Sequence, residues 1–234
     1  MALGQLIYGP LSDSFGRRPP IHLGMVLFMC GCLICILAPN LSLMLAGRFL
    51  QGLGVAGPRV VMAAVVRDQY SGRAMARVMS FVMAVFILVP AIAPALGQGI
   101  ILLAHWRGIF VGFLVWALIV WIWFSWRQPE TLKPARRSPL SSRRLWAALV
   151  EVLTNRVALG YTLVAGMVFA GFLGYLNSAP QIFQQHYGLG ARFPLYFGAI
   201  ALAIGAATLL NARLVMRWGM RRLSRGGLSL FSLI

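Results

Sequence analysis

The chain has 234 residues, of which 60% are apolar and only 11% charged, whereas a water-soluble domain carries about 25% charged residues; a soluble globular fold is excluded. The net charge is nonetheless +17, from 21 Lys and Arg against 4 Asp and Glu. Where those bases sit separates a nucleic-acid binder, which gathers them on a soluble surface, from a membrane protein, which gathers them on one side of the bilayer.

Met1 to Leu11 is apolar but only about half a span long, with no basic leader and no cleavage site, so it reads as part of a helix and not as a signal peptide. A polar, proline-rich turn from Ser12 to Pro20 follows. Apolar runs at about 21–38, 41–66, 78–103 and 108–126 are each long enough to cross a membrane. From Arg127 to Arg156 the chain is polar, with seven of the 21 basic residues and with Pro129, Pro134 and Pro139, which reads as a linker between two helical halves. Further runs at 158–183 and 194–214 precede the basic stretch Met216–Arg225, and the chain stops inside a helix at Ile234. The fold class is an all-α polytopic membrane protein: six full transmembrane helices with a partial helix at each end. The expected division is residues 1–126, an N-terminal helical half; 127–157, the linker; and 158–234, part of a second half.

Alternating the helix directions places Arg17, Arg18, Arg67, Arg73, Arg77, the linker bases, Arg213, Arg217, Arg221, Arg222 and Arg225 on one side. Arg107 and Arg192 fall on the other, while Arg48 and Arg59 lie within the 41–66 span. Lys and Arg near span ends stay in the cytoplasm, so the linker of this multi-pass protein is expected there. Trp121, Trp123 and Trp126 at the inner boundary, and Trp106 at the outer, fit interfacial belts. The charge is an address, and no nucleic-acid partner is expected.

The turn Gly9-Pro-Leu-Ser-Asp13-Ser-Phe-Gly16-Arg17-Arg18 packs two glycines, an acid and two bases between antiparallel helices. Glycine gives such a turn its backbone freedom, and Asp13 can cap the next helix or pair with a base. Taken alone it is a positive-inside turn. Its spacing resembles the signature loop G-x-L-x-D-x-x-G-R-[RK] between the second and third helices of the major facilitator superfamily. Gly47-Arg48-Phe-Leu-Gln51-Gly52 resembles the R-x-x-Q-G motif of that superfamily's fourth helix, which Val66-Arg67-Asp68 closes. Pro90-Ala-Ile-Ala-Pro94-Ala-Leu-Gly97 is similar to the G-P-x-x-G-G motif of its drug/proton antiporters, although Ala93 and Gln98 stand where glycines are usual. The stretch 1–110 looks most like the bicyclomycin-resistance (Bcr/CflA) multidrug efflux subfamily. A loose repeat of Leu11-x3-Phe15-Gly16-Arg17-Arg18 at Leu214-x3-Trp218-Gly219-Met220-Arg221-Arg222 agrees with two halves related about the membrane normal.

The resemblance implies the major facilitator fold, incomplete here, running from the late second helix to the early ninth. It implies export of small amphipathic drug-like molecules against protons by alternating access across a bacterial inner membrane; the sequence shows no nucleotide-binding loop, hydrolytic triad or metal-ligand cluster, so no enzyme activity, no metal and no cofactor beyond the proton gradient are expected, and the protein is read as a monomer. It implies a cytoplasmic lock from Gly9, Asp13, Gly16, Arg17, Arg18, Arg67 and Asp68, whose bland alternative is a solvated ion pair worth about 0–1 kcal/mol. It implies cavity and proton-coupling roles for Arg48, Gln51 and Gly52; an unpaired Arg inside a span costs roughly 2.5–3.5 kcal/mol and asks for a partner or water, snorkelling being the other reading, as Arg48 lies seven residues after Leu41. The resemblance also gives Pro90, Pro94 and Gly97 an antiporter role as a hinge or proton seal, against which stands a static kink.

Arg59 reads equally as a substrate contact or a water-facing structural arginine. Asn177 and Gln181, with Ser178 and Pro180, either touch substrate or face the outer mouth. Cys30, Cys32 and Cys35 share one apolar helix and read as filling, and His22, His105 and His186 as interfacial residues. The four acids, Asp13, Asp68, Glu130 and Glu151, all fall in loops or span edges. The resemblance implies that the titrating acid of an antiporter is supplied by a first helix, which is expected to precede this sequence. Two alternatives stay open: a metabolite carrier of the same fold, and a truncated fragment that transports nothing.

Overall fold

The computed structural model describes residues 2–218 together with Gly226 and Ser229. The described residues form eight α-helices: α1 (Ala2–Phe15), α2 (Arg18–Leu37), α3 (Leu41–Gln69), α4 (Gly72–Leu103), α5 (Arg107–Arg127), α6 (Ser142–Thr154), α7 (Arg156–Gln181) and α8 (Phe193–Trp218). Among these, α2, α3, α5 and α7 with its extension to His186 are long and apolar enough to cross a membrane. The most apolar described stretches of α4 and α8 are Ile92–Leu103 and Phe193–Ala207. The Gly219–Arg225 part of the basic stretch, the second copy of the turn motif there, and the expected helix to Ile234, apart from Gly226 and Ser229, lie outside the described residues.

Helix boundaries follow local chemistry. Asn40 caps α3, its side chain accepting from Leu43 N at 2.9 Å. Arg107 donates through Nη2 to the Ala38 carbonyl at 3.0 Å, closing the carbonyl end of α2. Two expectations are corrected. α4 begins at Gly72, where φ is +53°, not near residue 78, because Arg73 and Arg77 sit in helical turns and not in a loop; long arginine side chains reach water from the first turns of a span. The linker is not plain linker either: it contains the 13-residue helix α6.

The chain forms two compact units, Met1–Met79 with Gly99–Tyr175, and Ser80–Gln98 with Leu176–Ile234. In the first, α2 packs against α3, with α1 on α3 and α5 on α2. Glycines make the α2–α3 seam: a Cβ on Gly54 would lie 2.4 Å from Phe28 N, one on Gly24 2.6 Å from Gly54 O, and one on Gly47 2.6 Å from Cys35 Sγ. Such backbone-to-backbone approach is how helices associate where lipid removes the hydrophobic drive between them. Large apolar side chains such as Trp116 and Trp123 on α5 and Met167 on α7 are exposed, as suits surfaces that meet lipid. In the second unit, the rings of buried Phe193 and Phe197 lie 5.5 Å apart at a tilt of 46°, and Phe183 lies 6.1 Å from Phe193.

Candidate functional site

Arg17, in the turn between α1 and α2, is the hub of the site. Its Nη1 donates to Asp13 Oδ1 and to Ser12 Oγ, both at 2.6 Å, and its Nε donates to Asp68 Oδ2 at 2.7 Å, with Nη2 3.4 Å from Asp68 Oδ1. The guanidinium fork thus joins the end of α1 to the last turn of α3. The Arg17 side chain is 9% exposed and that of Asp68 19%, whereas Asp13 is open at 61%. The Asp68 arm is consequently no solvated surface pair. Thr131 donates to Asp68 Oδ2 at 3.2 Å. Burial opposes the charge on Arg17, but its bonds to Asp68 and Asp13 outweigh that and raise its pKa further.

The sequence reading missed Glu130. Its carboxylate accepts from the backbone N–H groups of Arg17 at 2.8 Å and Arg18 at 3.0 Å, one per oxygen, and from Leu132 N at 2.9 Å. Helix α2 opens with Pro19 and Pro20, which have no N–H to offer. The donors left over at this N-terminus belong to Arg17 and Arg18, and an acid from 112 residues away satisfies both. Asp13 pairs with a base and leaves the capping to Glu130. Ser138 N donates to the Asp13 carbonyl at 3.0 Å, so residues 130–138 of the linker lie along the turn. The usable signal was an acid, followed by Thr131, just beyond a span end otherwise given over to bases, opposite a helix that starts with two prolines.

Gly16 has φ +101°, and a Cβ there would lie 2.6 Å from Glu130 Oε2 and 3.2 Å from Arg137 Nη2. A Gly16→Ala chain is expected to lose about 2 kcal/mol of stability through left-handed backbone strain and displacement of the Glu130 carboxylate, read as a fall in the unfolding midpoint in detergent. Burial works against the charged form of Glu130, but backbone N–H groups of Leu132, Arg17, Arg18 and Thr131 overcome it and hold the carboxyl below its ordinary value of 4.5. A depressed carboxyl contributes stability above its ordinary pKa and loses it as pH falls through the folded one. Hydrogen exchange of residues 130–138, corrected for intrinsic rates, should therefore show constant protection between roughly pH 6 and 8 and release only in acid; a change within that window would assign the contact to another group.

The other expected members lie differently. Arg18 donates through Nη2 to the Ser125 carbonyl at 2.8 Å, tying α2 to α5. Arg67 turns back on its own helix, donating to Ala63 O at 3.3 Å, and reaches the clamp through its charge, which helps the Arg17 hydrogen bond to hold the Asp68 carboxyl below its ordinary pKa. A Cβ on Gly9 meets nothing within 4 Å.

Away from the clamp, Arg48 donates to Gln51 Oε1 at 3.0 Å, and its Cζ lies 5.8 Å from the Phe110 ring centroid. Gln51 is 4% exposed and its Nε2 donates to Cys32 Sγ at 3.0 Å. An arginine inside a span thus has a neutral, polarised chain of partners leading into the α2–α3 seam; Gly52 is half-buried beside it. α4 stays helical through Pro90 and Pro94, and a Cβ on Gly97 meets nothing within 4 Å. Arg59 is exposed on α3 and Asn177 on α7, and Gln181 borders an open recess with Ile182, Gln185 and His186. Among the described residues no cluster of three or more His, Cys, Asp or Glu could hold a metal ion.

The Major Facilitator Superfamily family model matches residues 1–234. The chain belongs to the Major Facilitator Superfamily. Members of this superfamily are transporters, not enzymes. The chain is 33% identical over 216 residues to an uncharacterized MFS-type transporter, YdgK, of Bacillus subtilis, covering 91% of this chain and 54% of that protein. It is 32% identical over 236 residues to a bicyclomycin resistance protein homolog of Haemophilus influenzae, covering 98% of this chain and 58% of that protein. It is also 32% identical over 188 residues to the multidrug resistance protein MdtL of Salmonella heidelberg, covering 80% and 47%. The chain spans about half the length of these curated relatives. The second of them carries the name of the subfamily that the sequence motifs resemble.

Proposed function

We propose that this superfamily chain is the larger part of a multidrug efflux antiporter that exports small amphipathic compounds in exchange for protons by alternating access. The observation that carries the reading is the Arg17 clamp, in which one arginine spans Asp13 and Asp68 from different helices. Such a clamp holds α1, α2 and α3 together at the end of the bundle that carries the linker. It stands when that end is shut and parts when it opens, so the site belongs to a conformational cycle and performs no covalent chemistry. The names of the multidrug and bicyclomycin relatives support a drug-like substrate.

In this reading the linker end is cytoplasmic, as the distribution of bases requires, and the membrane is a bacterial inner membrane. Residues 1–126 supply one half, 127–157 the connection and 158–234 part of the other half. Arg48, held by Gln51, senses the protonation of an acid elsewhere in the full protein. Pro90, Pro94 and Gly97 form the antiporter hinge, and Arg59, Asn177 and Gln181 touch substrate. The protein works as a monomer, with the proton gradient as its energy source.

The test is expression of a full-length protein containing this sequence in a drug-sensitive bacterium, with susceptibility and dye efflux measured before and after collapse of the proton gradient. The expected result is gradient-dependent resistance that Asp13→Asn abolishes. Unchanged transport in Asp13→Asn overturns the lock; resistance that ignores the gradient overturns antiport; no drug phenotype alongside metabolite export favours the metabolite carrier. The 234-residue chain expressed alone tests the fragment reading.

A further inference from the structure

Helix α6 has no part in the transport reading, and its surface chemistry is unlike that of the spans. Leu145, Trp146, Val150 and Leu153 fall at i, i+1, i+5 and i+8, which places them on one stripe of a helix. All four are exposed, Trp146 at 67%. Glu151 lies on the opposite face, and Arg143 and Thr154 flank the stripe beside Val150. The surrounding segment is strongly basic: Lys133, Arg136, Arg137, Arg143, Arg144 and Arg156 stand against the single acid Glu151 between residues 133 and 156.

We propose that α6 is an interfacial helix that binds the anionic lipid surface at the linker end of the bundle, its apolar stripe in the headgroup layer and its flanking bases on lipid phosphates. Both of its ends are held at the level of that surface. At its start, Leu145 borders a recess of about 160 Å3 with Pro10, Asp13, Ser14 and Ser138–Ser141, beside the turn where α2 begins its span. At its finish, Asn155 alone separates α6 from α7. The Asn155 side chain accepts from Val157 N at 3.0 Å and Ala158 N at 3.1 Å, so the junction is a capped corner. A helix of 13 residues, about 20 Å long, tied at both ends to one membrane boundary lies along that boundary. Its apolar stripe then meets the headgroup layer, where tryptophan is favoured. The excess of bases selects phosphate-bearing anionic lipid over a zwitterionic surface. The inference holds whatever the protein carries.

The experiment reconstitutes the chain at low ionic strength into nanodiscs of phosphatidylcholine, and into discs of phosphatidylcholine with phosphatidylglycerol, and follows amide exchange across residues 142–154. Exchange is expected to be roughly tenfold slower in the anionic discs. Arg143→Gln with Arg144→Gln should remove most of that difference, and raised salt should do the same. Trp146→Ser with Leu153→Ser, both exposed positions, should remove the protection in both lipids while leaving exchange in α2 and α3 unchanged. Equal exchange in the two lipids overturns the proposal. Protection that tracks protein concentration and not lipid charge also overturns it, and assigns the stripe to a second copy of the chain.

Discussion

An Arg17→Ala chain is expected to be less stable by about 3 kcal/mol, because a part-buried ion pair and the partner of a buried hydroxyl are lost together. The loss has three sources: Asp68, only 19% exposed in its side chain, keeps its charge without its partner; Ser12, 2% exposed, loses the donor to its hydroxyl; and α1 loses its tie to α3. Asp13 adds little, because it is open to water. Arg17→Lys should recover less than half of the loss. An ammonium keeps the charge, but it lacks the planar fork that reaches Asp13 and Ser12 through Nη1 and Asp68 through Nε. Unfolding midpoints in detergent measure both variants, and a loss below about 1 kcal/mol for alanine would reduce the clamp to an ordinary surface pair. If the full-length protein is the proposed antiporter, the same alanine variant is expected to abolish export even where it still inserts.

A comparable effect is expected from a single methyl group in the α2–α3 seam. In Gly54→Ala the new Cβ would stand 2.4 Å from Phe28 N, 2.6 Å from Gly24 O and 2.9 Å from Phe28 Cα. All three are backbone atoms, so no side-chain rotation relieves the overlap and the helices must separate along the seam. The expected cost is about 3 kcal/mol, the upper part of the range for overpacking. Gly9→Ala and Gly97→Ala are the controls, since a Cβ at either position meets nothing within 4 Å. Both should be neutral, or stabilising by up to about 1 kcal/mol, because alanine is the better helix former. Thermal unfolding of the three variants side by side separates packing from propensity. A Gly54→Ala chain as stable as its parent would mean that the two helices do not approach this closely.

The helices were legible because their signal is local. A run of about 20 apolar residues bounded by Arg, Pro or Asn needs no knowledge of its neighbours; α2, α3, α5 and α7 begin and end, and α8 begins, within a few residues of the expected runs. α4 differed at its start because arginines were counted as loop, although their long stems let a helix begin among them. α6 was hidden by the same bases and prolines that mark the linker, since a stripe of four apolar residues in a basic segment is a weak signal by count.

In the site, the resemblance to the superfamily's signature loop put Arg17 with Asp13 and Asp68, and Arg17 bonds to both. Glu130 could not be found that way. Its partners are backbone N–H groups, which leave no mark on residue identity, and its effect depends on the loop at 130–138 lying back along the turn. Arg67, placed in the lock by the resemblance, donates to Ala63 O on the preceding turn of α3 and acts on Asp68 through its charge.

The pinning of the linker also fixes how much rope the connection contains. Between α5 and α7 the chain has 28 residues, 128 to 155, which as free coil would let α7 wander widely. Residues 130–138 are tied to the turn through Glu130, Thr131 and Ser138, and 142–154 are rigid as a helix. Beyond the last tie the free contour reduces to 139–141 and Asn155, about 14 Å when fully drawn out. Movement at the start of α7 is therefore passed to the Arg17 turn with no more than that slack, and releasing the Ser138 tie would lengthen the reach of the connection without altering a single residue in a span.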